Sequence, residues 1–237
     1  MSSLSLRTQT SVAIAVIGTG HVGLVTCASL AALGHRVVGY DADETKVSML
    51  QEGRSPFYEP GLEDLLQAQM AAGRLEFVRD IVSAVRGAEV AFICVGTPPL
   101  ANGEASLLAV ETAGREIARH ATGPIVVVEK STVPAGTADQ LVVALTRERP
   151  EIHIELASNP EFLREGRAVD DALHPDRIVI GASTEAAILA MRRVYAPLTE
   201  QGVRLIETDV RTAELAKHAS NAFLALKISY ANALARI

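Results

Sequence analysis

Gly18-Thr19-Gly20-His21-Val22-Gly23 carries the spacing G-x-G-x-x-G, and Asp41 follows eighteen residues after the last glycine. Residues of these types at this spacing can hold a dinucleotide without themselves breaking a bond. Gly18 permits a tight turn and Gly20 lets the backbone approach a pyrophosphate. Gly23 lets a helix pack closely on a strand, with its free N–H groups facing the phosphates. His21 and Val22 add backbone to the same turn. Asp41 would accept hydrogen bonds from the adenosine ribose, and its charge would repel a 2′-phosphate, so NAD is expected rather than NADP. Lys46 is spaced to hold either the Asp41 carboxylate or the ribose. A glycine triple alone is weak evidence, since ligand-free glycine turns also occur; its setting has to supply the weight.

That setting is a regular alternation of short aliphatic runs and helical stretches. The runs 12–17, 35–40, 75–78, 90–95, 124–129, 152–158, 176–181 and 203–207 read as strands. Helices are expected from the glycine turn to about Leu33, from Asp41 to about Leu50, over 61–72 and over about 106–120. Others are expected after KSTVPAGT, over 184–195, and from about Thr212 to the end. Strands separated by helices indicate an α/β, Rossmann-like, doubly wound and mostly parallel sheet, with the functional loops gathered at the carboxyl ends of the strands. From Thr212 onward apolar residues fall on nearly every side of the helix, and such a helix is expected to be buried between domains or subunits.

Composition narrows the function classes. Hydrophobic residues make up 49% and charged residues 21%, which supplies a core and excludes wholesale disorder. Trp is absent and aromatics are 4%, so the core must be aliphatic, as in buried parallel strands. A net charge of −6 argues against a nucleic-acid platform, which needs a basic face. No run of about 18 apolar residues spans a membrane, and the first eleven residues read as a loose tail without a secretory signal. Two cysteines make neither a disulfide framework nor a zinc site, which points to a reducing cytoplasm. The histidines have no metal-ligand spacing.

Beyond the glycine turn, five segments carry a more specific pattern: VIGTGHVGL (16–24), YEPGLEDLL (58–66), VGTPP (95–99), KSTVPAGT (130–137) and NPEFLREGRAVDD (159–171). PDRIVIG (175–181) and AELAKHASNAFLALKISYAN (213–232) complete it. In these segments the chain resembles the UDP-glucose/GDP-mannose dehydrogenases, collinearly from about Val12 to Ile237. His21 departs from the pattern, standing where many members have Tyr, at a position expected to act through its backbone. The resemblance implies oxidation of the C6 alcohol of a nucleotide sugar to a carboxylate, with two hydride transfers to NAD and a thioester on a cysteine. UDP-glucose is the first candidate substrate, with UDP-N-acetyl sugars and GDP-mannose as alternatives. A dehydrogenase for hydroxyacyl or phosphogluconate substrates would share the glycine turn but leaves NPEFLREG and KHASNAFLALK unexplained.

The resemblance also implies roles. Thr132 and Glu161 match positions that hold and activate a water. Glu165 matches one between sugar and nicotinamide, and Thr97 and Thr132 sit at strand ends near the nicotinamide. Phe162, Leu163 and Arg164 match the segment that cradles the sugar diphosphate, while Lys217 and Asn221 match positions that stabilise oxyanions. If the chain turned helically after Pro160, Glu161 and Glu165 at i, i+4 would share a face, and repulsion would raise one pKa; without the motif, both would read as solvated charges. A Lys on an apolar helix needs a partner or a task, unless its stem lies along the core and its head reaches water. Arg177 fits either a phosphate ligand or a buried ion pair. Cys27 and Cys94 read as small core hydrophobes, in a helix and a strand, neither matching the family nucleophile.

The expected organisation is a tail over 1–11, an NAD-binding domain over 12–209, and over 210–237 the start of a central helix through which a homodimer would form. The chain stops at Ile237 inside a helical stretch without a terminating signal. That suggests truncation, and therefore a cofactor-binding fragment carrying half an active site and inactive alone.

Overall fold

The structure, a computed structural model, describes residues 11–237; most of the proposed tail, residues 1–10, lies outside the described residues. All eight expected strands form: β1 (Ala13–Ile17), β2 (Arg36–Tyr40), β3 (Leu75–Val78), β4 (Val90–Ile93), β5 (Ile125–Glu129), β6 (Ile154–Ser158), β7 (Arg177–Ala182) and β8 (Arg204–Thr208). They make one sheet in the order β3-β2-β1-β4-β5-β6-β7-β8. β1 pairs in parallel with both β2 and β4, so the strand order reverses beside the glycine turn. β7 runs antiparallel to β6 and pairs only through Gly181 and Ala182, opposite Ser158 and Ala157. Its amino-terminal part therefore continues past the carboxyl end of β6. The sheet is parallel everywhere except at this junction.

Helices cover both faces, as a parallel sheet requires. They are α1 (His21–Ala32), α2 (Glu44–Gln51), α3 (Leu62–Ala71), α4 (Ile81–Val85), α5 (Leu108–His120), α6 (Thr137–Glu148), α7 (Ala168–Leu173), α8 (Glu185–Thr199) and α9 (Val210–Leu234). Alternate strand residues feed two cores. Ile14, Val16, Val90 and Phe92 join Leu24, Leu66 and Met191 on one face. Ala15, Ile17, Ala91 and Ile93 join Ile117, Leu141 and Leu145 on the other.

Three expectations need correction. α4 and α7 are short helices that the apolar spacing does not announce; α4 begins at a cap, with the Asp80 carboxylate accepting from the Ser83 N–H at 2.8 Å. α8 continues to Thr199 through Pro197, whose missing N–H falls in the last turn, where little helix remains to break. Cys94 lies just beyond β4 rather than inside it, though it is buried as expected. Within this chain α9, expected to be buried between domains or subunits, is covered only at its start. Gly181 lets this start sit on the sheet, since a Cβ there would fall 2.5 Å from that of Ala213. Val210, Ala213, Glu214 and Lys217 are covered, whereas every residue from Asn221 onward is exposed. Past Ser220 the helix has left the sheet edge, so Phe223 is 60% and Leu226 64% exposed. No helix among the described residues is long and apolar enough to cross a membrane.

Candidate active site

The glycine turn is built as its spacing requires. Gly18 has φ of 95°, and a Cβ there would meet the Cys94 carbonyl oxygen at 2.8 Å. Gly23 is more crowded, its Cβ position being 1.8 Å from the Gly18 oxygen. At Gly20 a Cβ would touch nothing within 4 Å, so this residue turns an open backbone face outward. Gly20 also caps α1 without a side-chain bond, and the first turn of α1 contains no acid. Uncapped N–H groups and open space are what a pyrophosphate needs, so this cradle fits a dinucleotide.

Asp41, just past β2, organises the other side. Its Oδ2 accepts from the Thr19 N–H at 2.8 Å and from Lys46 Nζ at 2.9 Å, and its Oδ1 accepts from the Asp43 N–H at 3.1 Å. Lys46 thus holds the carboxylate, the first of its two anticipated tasks. Burial works to raise the Asp41 pKa, but Lys46 and the Thr19 and Asp43 N–H groups outweigh it and hold the carboxyl below its ordinary value. Asp41 is therefore a fixed anion just past the end of β2.

His21 does more than supply backbone. Its Nε2 lies 2.9 Å from Glu59 Oε2, and its ring packs 5.1 Å from that of Phe57. Glu59 is 5% exposed and also accepts the N–H groups of Gly166 and Ala168, each at 2.9 Å. Burial works against this charge, and the bonds from His21, Gly166 and Ala168 overcome it, so its pKa is lowered. One carboxylate of the YEPG segment therefore ties the start of α1 to the end of NPEFLREG and the start of α7. Its residue type does not announce this; the only signal is an acid set in a turn beside a tyrosine and two prolines.

A second region is a cleft of about 480 Å³ between α1, the 159–177 segment and α9. It is lined by Glu161, Phe162, Leu163, Arg164, Lys217 and Asn221, so the structure brings six of the expected residues together. Lys217 Nζ contacts Glu161 Oε1 at 2.6 Å, with side chains only 9% and 12% exposed. Glu161 Oε2 accepts from the Leu163 N–H at 2.6 Å. The Phe162 ring lies 5.7 Å from Lys217 Nζ and 4.6 Å from Arg177 Cζ. Arg177 is exposed and stacks on this ring, so the anticipated buried ion pair does not form. Arg164 is bound to Asp171 twice over, Nη2 to Oδ1 at 2.5 Å and its backbone N–H to Oδ2 at 2.9 Å. Residues 159–164 are not helical, so Glu161 and Glu165 share no helix face. Pro160 disfavours a helix through Asn159, and the Leu163 N–H is taken by the Glu161 side chain. Glu165 is exposed and outside the cleft lining. Thr97 and Thr132 meet beyond β4 and β5, the Thr97 hydroxyl donating to the Thr132 carbonyl at 3.0 Å.

At the floor of the cleft lies a network given no role in the sequence reading, although Lys130 and Asn159 open two of the marked segments. Lys130 is buried, and its Nζ donates to Asn159 Oδ1 at 2.9 Å. The Tyr195 hydroxyl donates to the same oxygen at 2.5 Å, and Asn159 Nδ2 donates to the Val179 carbonyl at 2.8 Å. Burial lowers the Lys130 pKa, with Cys94 and Glu161 opposing. A Lys directly after five fully buried strand residues is the signal that could have found it. Cys94 is pushed up to about 12, chiefly by burial, and Cys27 is raised well above its ordinary value for the same first reason. Neither is a ready thiolate. Among the described residues no group of acids, histidines and cysteines could hold a metal ion.

A glycine turn at the reversal of strand order, an anion at the end of β2 and a parallel sheet define a dinucleotide-binding domain of Rossmann type. More specifically, the chain belongs to the UDP-glucose/GDP-mannose dehydrogenase family, whose NAD binding domain matches residues 12–199. It is 47% identical over 225 residues to a UDP-glucose 6-dehydrogenase of Rhizobium meliloti, covering 94% of this chain and 52% of that protein. With a UDP-glucose dehydrogenase from Pyrobaculum islandicum it shares 43% identity and a TM-score of 0.92, over 98% of this chain and 54% of the other. A GDP-mannose dehydrogenase of Pseudomonas aeruginosa gives 36% and 0.88, over 93% and 51%. The chain spans about half the length of the relatives it matches.

Proposed function

We propose that this chain is the cofactor-binding half of an enzyme that oxidises the C6 alcohol of a nucleotide sugar, UDP-glucose first among candidates, to the carboxylate. The observation that carries the reading is the Lys217–Glu161 pair at 2.6 Å, in one cleft that Phe162, Leu163 and the exposed Asn221 also line on an NAD-binding domain. Gly18, Gly20, His21, Val22 and Gly23 would hold the NAD pyrophosphate, and Asp41, positioned by Lys46, the ribose. NAD, when bound, supplies the hydride acceptor. Glu161 acts as the base, with Thr132 holding a water for it. Lys217 and the Asn221 amide stabilise negative charge on the sugar oxygen, where a nearly dry ammonium has its greatest effect. Phe162, Leu163 and Arg164 cradle the diphosphate. Thr97 lies toward the nicotinamide, and Glu165 acts between sugar and cofactor. The thioester-forming cysteine is assigned to neither Cys27 nor Cys94, because both thiols are buried and poorly ionised. The exposed apolar side of α9, including Phe223, Leu226 and Tyr230, supports a homodimer formed through that helix.

Calorimetric titration of the chain with NAD, NADP and a panel of UDP-glucose, UDP-N-acetyl sugars and GDP-mannose tests the proposal. NAD should bind more tightly than NADP, UDP-glucose should be preferred among the sugars, and NAD with UDP-glucose should give no sustained NADH production from the chain alone. Preference for NADP, or for another sugar, would overturn the corresponding part. Steady turnover would overturn the half-site reading.

A further inference from the structure

Behind the cleft, two acids meet where none is needed for the chemistry proposed above. Glu129 ends β5 and is 1% exposed, and both of its carboxyl oxygens are buried without a hydrogen-bond partner. Glu214, 3% exposed on the first turns of α9, faces it. The Glu214 carboxylate is already engaged, accepting the Gly136 N–H at 2.5 Å and the Ala138 N–H at 2.8 Å around the start of α6. Those bonds fix its negative charge at a helix N-terminus. Two ionised carboxylates offer no donor to one another, which is why the Glu129 oxygens find no partner.

The surrounding basic side chains do not resolve this. Lys130 is bonded to Asn159, Lys217 to Glu161, Arg211 to Asp139, and His218 to the Val133 carbonyl. None reaches Glu129, so a buried charge there would stand uncompensated, at a cost far above that of taking up a proton. We infer that Glu129 is a positioning residue: it stays protonated at neutral pH and donates its O–H to Glu214, and this shared proton holds the Lys217-bearing turns of α9 against the Ser131–Gly136 loop. Glu129 immediately precedes Lys130, and Glu214 lies one turn before Lys217, so the acid pair sets the spacing of the two elements that carry the buried lysines. Burial first, then the facing Glu214 charge and contact, push Glu129 from 4.5 up to about 9. The consequence for Lys217 rests on the nucleotide-sugar reading; the shared proton does not.

The test uses the 237-residue chain with Glu129→Gln, which keeps a donor but cannot ionise, and Glu129→Leu, which has none. Infrared difference spectra should show a protonated-carboxyl C=O stretch at pH 7 that titrates away near pH 9 and is missing from both variants. Absence of the band in the wild type, or its persistence in Glu129→Gln, overturns the proposal. Between pH 4.5 and about 9 the folded state holds a proton that the unfolded chain releases, so the wild-type unfolding midpoint should fall with rising pH relative to that of Glu129→Gln. Parallel midpoints overturn it as well. Wild-type affinity for UDP-glucose should drop several-fold above pH 9 while Glu129→Gln retains its own and Glu129→Leu is weak throughout; an equal pH dependence in wild type and Glu129→Gln overturns the positioning role. No UDP-glucose binding by any variant at neutral pH would count against the nucleotide-sugar reading, and the spectra would still decide the acid pair.

Discussion

The glycine turn and the cleft solve opposite problems. At the turn the binding groups are backbone N–H donors, and the side chains matter mainly by being absent: Gly18, Gly20 and Gly23 clear space. The cleft is made of side chains carrying full charges away from water, Lys217 against Glu161 and Lys130 on Asn159. A site made from backbone is set by local conformation and tolerates almost no added atoms. A site made from buried charges depends on partners that arrive from distant segments, and it fails when one partner is removed. Glu59 joins the two, since the same carboxylate holds His21 at the turn and the Gly166 and Ala168 N–H groups beside the cleft.

The contrast can be broken at its strongest point first. Gly23→Val would place a Cβ 1.8 Å from the Gly18 oxygen, a backbone atom that cannot step aside. The expected loss exceeds about 3 kcal/mol, more than ordinary overpacking, and chemical denaturation should find little folded chain. A mild effect would show that the turn is softer than its geometry. Lys217→Ala should come next, costing about 3 kcal/mol because Glu161 is left buried and unpaired. NAD affinity should be unchanged; a matching loss of NAD binding would erase the distinction between the two regions. Adding Glu161→Gln to Lys217→Ala should recover part of the stability.

Gly20→Ala should change stability by less than about 0.5 kcal/mol, as no atom lies within 4 Å of the added Cβ, yet weaken NAD roughly tenfold by occupying the pyrophosphate face. Calorimetry alongside thermal melts separates the two readouts. The smallest effect concerns His35, which lines neither region and whose Nδ1 accepts from the Val12 N–H and whose Nε2 donates to the Val194 carbonyl. Burial first lowers its pKa below 6.5, with the Val194 bond opposing. The folded state thus resists a proton that the unfolded chain takes up, so its contribution is complete above 6.5 and declines as pH falls below that value. A modest drop in melting temperature between pH 7 and pH 5.5, flattened in His35→Gln, is expected.

The sequence by itself determined the sheet and the cofactor turn. Short aliphatic runs such as VAFI and IVVV, set between helical stretches, read as doubly buried strands, and three glycines between strand and helix specify a local backbone shape that Asp41 joins from the next strand. Patterns also singled out Glu161, Lys217 and Asn221, because charged and amide groups at those places fit a known motif. What the motif could not supply was pairing. That Lys217 meets Glu161, that His21 reaches Glu59, that Arg177 stacks on Phe162 instead of entering an ion pair, and that Glu129 faces Glu214 all depend on segments brought together by the sheet. The antiparallel turn of β7 is of the same kind, and so is the departure of α9 from the sheet after Ser220. Its all-round apolar character reads as burial, but burial is a property of what lies opposite, and only the tertiary structure decides that.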